Sequence, residues 1–93
     1  MKFQVYILCS ERSGRLYIGQ TGDLERRLSE HNAGETASTR GKGPWRLLYS
    51  KGFDTRHGAM SFENKLKRWK SRKRVLAWIA REKGEDGEQR PDW

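Results

Sequence analysis

The sequence predicts one α/β domain of the α+β kind, built from three short strands and three helices. Three observations predict it. Apolar residues alternate with other residues over positions 3–9, 15–19 and 45–49, which is the strand period. The spacing changes to threes and fours over 24–31, 59–69 and 75–79, which is the helix period. Ninety-three residues are too few for two independent cores, and ten aromatics, four of them Trp, can seed one even though hydrophobic residues make up 33%.

Phe3, Val5, Ile7 and Cys9 alternate with Gln4, Tyr6 and Leu8, giving the first strand. Ser10 to Gly14 is polar and ends on a Ser-Gly turn signal. Leu16 and Ile18 continue the alternation, so an antiparallel hairpin is expected. With a loop from Cys9 to Gly14, Leu8 would face Arg15 and Tyr6 would face Tyr17. Both tyrosines would then project from one face, and Val5, Ile7, Leu16 and Ile18 would fill the other. Thr21 or Asp23 can cap a helix that runs to about Asn32 and stops at Gly34. Residues 33–44, rich in Gly, Thr and Ser, read as a mobile basic loop. Trp45, Leu47 and Tyr49 mark the third strand. A second helix from about Thr55 carries Ala59, Phe62, Leu66 and Trp69, and Ser71 can cap a third with Val75, Leu76, Trp78 and Ile79. Residues 1–83 are expected to form the domain and residues 84–93 an acidic, flexible tail.

Composition excludes several classes of protein. No run approaches the roughly 18–20 apolar residues of a membrane span. The single Cys9 rules out an internal disulfide and a Cys-cluster zinc site. No secretory signal is visible, so a reducing, cytoplasmic setting is the expectation. The formal net charge is +8, and residues 82–93 hold five acids against two bases, which leaves +11 on residues 1–81. Residues 65–74 (KLKRWKSRKR) hold seven bases and no acid. A polyanion suits that surface, although a solvated basic helix face would read the same way.

Five residues carry possible chemistry. Arg27 and His31 lie on the helical stripe of Leu24 and Leu28, beside the face that must be buried, whereas Glu25, Arg26, Ser29 and Glu30 should point outward. Arg27 could sit in a structural ion pair, or its planar fork could meet a phosphate. Glu63 is the lone acid between Asp54 and Glu82. It could pair with Lys67 one turn on, or hold Mg²⁺, which often takes one or two carboxylates and fills its shell with water and phosphate. Tyr6 and Tyr17 could be packed strand residues. As a pair beside Arg27 and a cation, one could favour its phenolate.

Val5-Tyr6-Ile7, then Leu16-Tyr17-Ile18-Gly19, then Gln20 through Asn32 with Arg27 and His31, resemble the GIY-YIG nuclease domain. The Trp45–Tyr49 strand and the Glu63 helix follow in the family's order. The resemblance spans about residues 3–80 and is closest to small stand-alone bacterial members. It implies a three-stranded antiparallel sheet flanked by helices and metal-dependent hydrolysis of phosphodiesters. Position by position, Tyr6 and Tyr17 match the motif tyrosines, one of which would take a proton from the attacking water. Arg27 would stabilise charge on the phosphate, His31 would hydrogen-bond a tyrosine or assist proton transfer, and Glu63 would hold a divalent cation, Mg²⁺ or Mn²⁺. Gly19 would leave room beside the tyrosines. Two positions depart from the family pattern: Gln4 stands where the first glycine would be, and no asparagine follows Asn64.

The expectation is therefore an endonuclease acting on nucleic acid, DNA first, with little intrinsic sequence specificity. Arg40, Lys42 and Arg46, and Lys65, Lys67, Arg68, Lys70, Arg72, Lys73 and Arg74, would track the phosphate backbone. The alternative is a nucleic-acid-binding module of the same fold that cleaves little or not at all. A basic protein–protein adaptor is the third reading. Trp69 could stack on a base or pack in the core. The sequence points to no obligate protein partner, and a monomer is the simplest state.

Overall fold

The computed structural model describes residues 2–37 and 39–83. The boundary expected after residue 83 and the acidic segment 84–93 therefore lie outside the described residues. The elements run β1 (Phe3–Ser10), β2 (Leu16–Thr21), α1 (Leu24–Asn32), β3 (Trp45–Phe53), α2 (Arg56–Trp69) and α3 (Arg72–Glu82). The strands form one antiparallel sheet in the order β2-β1-β3. The α+β class and the three-stranded sheet flanked by helices are as the sequence predicts. The helices start where side chains can satisfy the first turn's free N–H groups. Asp23 accepts from Arg26 N–H, Thr55 from Gly58 N–H and Ser71 from Arg74 N–H.

The central strand β1 is covered on both faces, and Val5 to Ser10 are all buried. Its alternation sorts the core into two clusters. Val5 and Ile7 pack with Ala59, Leu66, Val75 and Ile79, joined by Leu16, Ile18 and a ring of aromatics. Tyr6, Leu8 and Trp45 pack on the other face with Tyr17, Leu24 and Leu28. Trp69 belongs to the first cluster, packed edge-on against Trp78 with the Arg74 guanidinium over its ring, so the core-packing reading holds.

Three local expectations are corrected. The hairpin pairs Tyr6 with Gly19 and Leu8 with Tyr17, not Tyr6 with Tyr17. β1 runs on to Ser10, whose hydroxyl accepts from Arg12 N–H and Ser13 N–H and whose own N–H closes the turn onto Arg15 C=O. The slip is two residues, which preserves side-chain faces, so the tyrosines still lie together with ring centroids 6.2 Å apart. Trp45, Leu47 and Tyr49 do not form one face. A bulge opposite Ile7 and Leu8 inserts one extra residue into β3, so Trp45 joins Tyr6 while Tyr49 meets Trp78 on the opposite side. The loop after α1 is tethered. Asn32 accepts from Trp45 N–H and donates to Trp45 C=O, Trp45 Nε1–H donates to Thr39 C=O, and Ser10 Oγ donates to Lys42 C=O at 2.6 Å.

Candidate active site

β1 delivers the Tyr6 ring to the face under α1, where its hydroxyl lies 2.9 Å from His31 Nε2. His31 Nδ1 lies 2.8 Å from Thr39 Oγ1, and Thr39 Oγ1 lies 3.4 Å from the Thr36 carbonyl. The direction of this chain follows from its end. A carbonyl only accepts, so Thr39 donates to it and accepts from His31 Nδ1–H. That leaves Nε2 as the acceptor for the Tyr6 proton. Tyr6 and His31 are each only 1% exposed. Burial pushes the Tyr6 phenol up to about 12, against the smaller opposing effect of a hydrogen bond from Arg27; the nearby Tyr17 and Glu63 push it further up. Burial holds the His31 imidazole below its usual range, and the positive Arg27 adds to that. At neutral pH both groups are uncharged.

Gly19 explains itself by contact. A Cβ there would lie 2.7 Å from the Tyr6 hydroxyl and 3.1 Å from the Tyr17 ring. Any side chain would push Tyr6 off His31. Tyr17 sits beside His31, ring centroids 4.8 Å apart.

Arg27 lies close enough to Tyr6 for its charge to favour the phenolate, and it pairs with Glu30, 2.9 Å away. The expectation that Glu30 points outward is therefore corrected: it is half-buried and answers the cation one turn back. Burying part of a guanidinium demands such a partner.

Glu63 arrives from the other side of the sheet, on α2. Its side chain is 13% exposed, with Lys67 Nζ 2.7 Å from Oε2. Gln20 Nε2 donates to Oε1 at 2.9 Å. Gln20 has the parity of Leu16 and Ile18 on β2 and so joins the α2 side. The structure thus brings Tyr6, Tyr17, Arg27 and His31 together, whereas Glu63 meets Gln20 and Lys67 on the α2 side and acts on Tyr6 only as the weakest of the charges that raise its phenol.

Among the described residues no three His, Cys, Asp or Glu side chains gather as a metal-binding group. A cation held by one carboxylate, water and phosphate needs no such group. The Gln20 Oε1 atom is buried without a partner next to that carboxylate. The Glu63 carboxylate is a hard oxygen donor that fits Mg²⁺ or Mn²⁺ once the exposed Lys67 ammonium swings aside.

The cationic residues divide. Lys65, Lys67 and Arg68 on α2, Lys70 at its C-cap, and Arg72, Lys73 and Arg74 opening α3 are all exposed. Tyr17, Ile18, Leu66, Lys67, Lys70 and Arg72 contribute to a groove of about 550 Å³ along the β2 edge. Arg40 and Lys42, on the tethered loop, and Arg46, on β3, lie elsewhere; Arg40 Nε donates to Gly34 C=O. The β1–β2 loop links the two groups, because Gly14 C=O accepts from Arg72 and Gly41 C=O accepts from Arg12. Sequence reasoning missed Thr39 and Gln20. Thr39 gives no signal in a polar loop. Gln20 does, as a polar residue at a core-facing strand position.

A sheet of this order, with paired tyrosines on a hairpin reaching over a glycine to a helix-borne arginine and histidine, defines a class of small catalytic domains. Residues 2–75 match the GIY-YIG catalytic domain model, and the chain belongs to the GIY-YIG family, a nuclease family. Within it, the chain is 49% identical over 76 residues to a UPF0213 protein of Haloquadratum walsbyi, covering 78% of this chain and 83% of the relative. It is 44% identical over 81 residues to a UPF0213 protein of Streptococcus pyogenes, covering 85% and 86%. The solution NMR structure of a UPF0213 protein from Bacillus halodurans superposes with a TM-score of 0.55 at 34% identity, covering 86% of this chain and 84% of that one. No described helix is long and apolar enough to cross a membrane.

Proposed function

We propose that this chain is a metal-dependent endonuclease that hydrolyses phosphodiester bonds in nucleic acid, DNA in the first instance, with little sequence reading of its own. The observation that carries the reading is the buried Tyr6–His31–Thr39 chain, with the Arg27 charge acting on Tyr6. A phosphodiester resists water because its anionic oxygens repel the nucleophile, so a site must neutralise that charge as the transition state forms. Arg27 supplies part of that neutralisation. Glu63 would hold the cation, which when bound supplies Lewis-acid stabilisation of the phosphate.

Tyr6 stays a neutral phenol at pH 7, so it does not act as a standing phenolate. It takes a proton from the attacking water as its own proton passes to His31 Nε2, while His31 Nδ1–H stays on Thr39. The imidazolium this creates is disfavoured by burial and by Arg27 in the free chain. A bound phosphate offsets the Arg27 charge, so the relay becomes easier when substrate is in place. Tyr17 packs over His31 and borders the β2 groove. Lys65, Lys67, Arg68, Lys70, Arg72, Lys73 and Arg74 bind phosphates along the strand, which gives affinity without base reading.

One observation favours the second reading, a binding module that cleaves little: both Glu63 oxygens are already engaged by Gln20 and Lys67. Incubating supercoiled plasmid with the chain and Mg²⁺ or Mn²⁺ separates the two. Nicking by the wild type that disappears in Glu63→Ala and Arg27→Ala is the expected result. Salt-sensitive binding without nicking in either metal would leave only the module.

A further inference from the structure

Gln20 is a polar side chain placed in an apolar row. Leu16 and Ile18 share its side of β2 and pack under α2 and α3. Its amide has only one chemically acceptable orientation in the cation-free chain. A carboxylate accepts and never donates, so Nε2 must face Glu63 Oε1, 2.9 Å away. That orientation leaves Oε1 buried and unpartnered. Buried acceptors are nearly always satisfied, so an orphan of this kind asks for an explanation.

We propose that Gln20 is a second protein ligand for the divalent cation at Glu63, and that its amide turns over when the cation binds. The inference rests on the proposed cation site. The amide is close to symmetric in shape, so a half-turn about its last side-chain torsion exchanges nitrogen and oxygen at almost no steric cost. After the turn the two oxygens face each other at about the distance the nitrogen now holds, 2.9 Å. Adjacent ligands of an octahedral Mg²⁺ with bonds of about 2.0–2.1 Å are roughly 2.9 Å apart. Two facing oxygens repel without a cation, which is why the free chain presents the N–H. The arrangement also explains how a chain with no cluster of three metal-ligating side chains among its described residues could hold a cation before any phosphate arrives.

The test is a Mn²⁺ titration of the full chain without nucleic acid, read by loss of the free-ion paramagnetic resonance signal. It is paired with Mg²⁺ titration of ¹³C-labelled chain, read at the side-chain carbonyl of Gln20 and the carboxyl of Glu63. Wild type should bind saturably, Glu63→Gln should lose that binding, and Gln20→Ala should weaken it about tenfold while keeping its circular dichroism spectrum. Gln20→Glu should restore or exceed wild-type affinity. Both carbon resonances should move together with Mg²⁺. Gln20→Ala with wild-type affinity, or a Glu63 carboxyl that moves while the Gln20 carbonyl does not, overturns the inference and leaves Glu63 as the lone ligand. Glu63→Gln that binds as well as wild type overturns the cation site itself, and the Gln20 role with it.

Discussion

The face of the sheet under α2 and α3 buries Val5, Ile7, Ala59, Leu66, Val75 and Ile79, with Phe53, Phe62, Trp69 and Trp78 around them. The face under α1 buries Tyr6 and Leu8 beside His31 and Thr39, and its filler is held by directed hydrogen bonds. Central strand β1 feeds both faces from alternate residues. Apolar contact is non-directional, so the first face can absorb small changes of shape at a graded cost. Each polar atom of the second face must find one particular partner, and losing one leaves another orphaned. The division teaches that the domain keeps stability on one side of three strands and aimed chemistry on the other. Glu63 meets Gln20 on the α2 side of β2.

The largest expected effect breaks the polar face alone. Tyr6→Phe removes the hydroxyl bonded to His31, and nicking of plasmid in Mg²⁺ should fall by about 10²–10⁴-fold, the range for loss of a positioned proton-transfer group. The fold should survive, because the ring and its packing against Leu8 and Trp45 remain. Nicking that stays within threefold of wild type would move the proton route to Tyr17. Next in size is a break in the apolar face. Ile7→Ala leaves a cavity in the central strand and should cost about 2–5 kcal/mol in urea unfolding. Its nicking rate per folded molecule should stay near wild type. If activity fell in the folded fraction as well, the two faces would be coupled more tightly than their separate cores suggest.

Periodicity made most of the fold legible. Leu16 and Ile18 placed β2, the Ala59-Phe62-Leu66-Trp69 rhythm placed α2, and Asp23, Thr55 and Ser71 marked helix starts. The bulge in β3 stayed hidden because a single inserted residue flips faces without breaking alternation on either side. The hairpin register was misread by two residues because Ser10 serves as both last strand residue and loop acceptor. In the site, Arg27, His31, Glu63 and the tyrosines could be named from motif and stripe. Thr39 could not, since its burial is decided by an acceptor that His31 requires and no local pattern encodes. Gln20 was visible as a polar break in an apolar row, and its meaning needed Glu63, 43 positions away, to be seen across from it.

A smaller effect sharpens the polar face itself. Thr39→Val keeps the branched shape and removes the acceptor for His31 Nδ1–H, at a cost of about 1–3 kcal/mol for the orphaned buried donor. Proton NMR should lose the downfield Nδ1–H resonance in the variant. Survival of that resonance would mean that His31 has another acceptor.

The smallest effect is a pH dependence with opposite signs at the two ends of one hydrogen bond. His31 is held below its ordinary value of 6.5 by burial and by Arg27, so the unfolded chain binds the proton more readily. Stability from neutral His31 is present above 6.5 and is lost as pH falls through the lower folded value. Tyr6 is raised from 10 to about 12, so its contribution is present below pH 10 and is lost as pH rises through about 12. Urea unfolding across pH should show both limbs. His31→Gln should flatten the acid limb and leave the alkaline one. Ultraviolet titration of phenolate should find a last tyrosine step near 12 that Tyr6→Phe removes, whereas Tyr49, raised mainly by burial on the apolar face, should keep its own step. If the late step survived in Tyr6→Phe, the burial that holds Tyr6 neutral, and the relay that depends on it, would both be wrong.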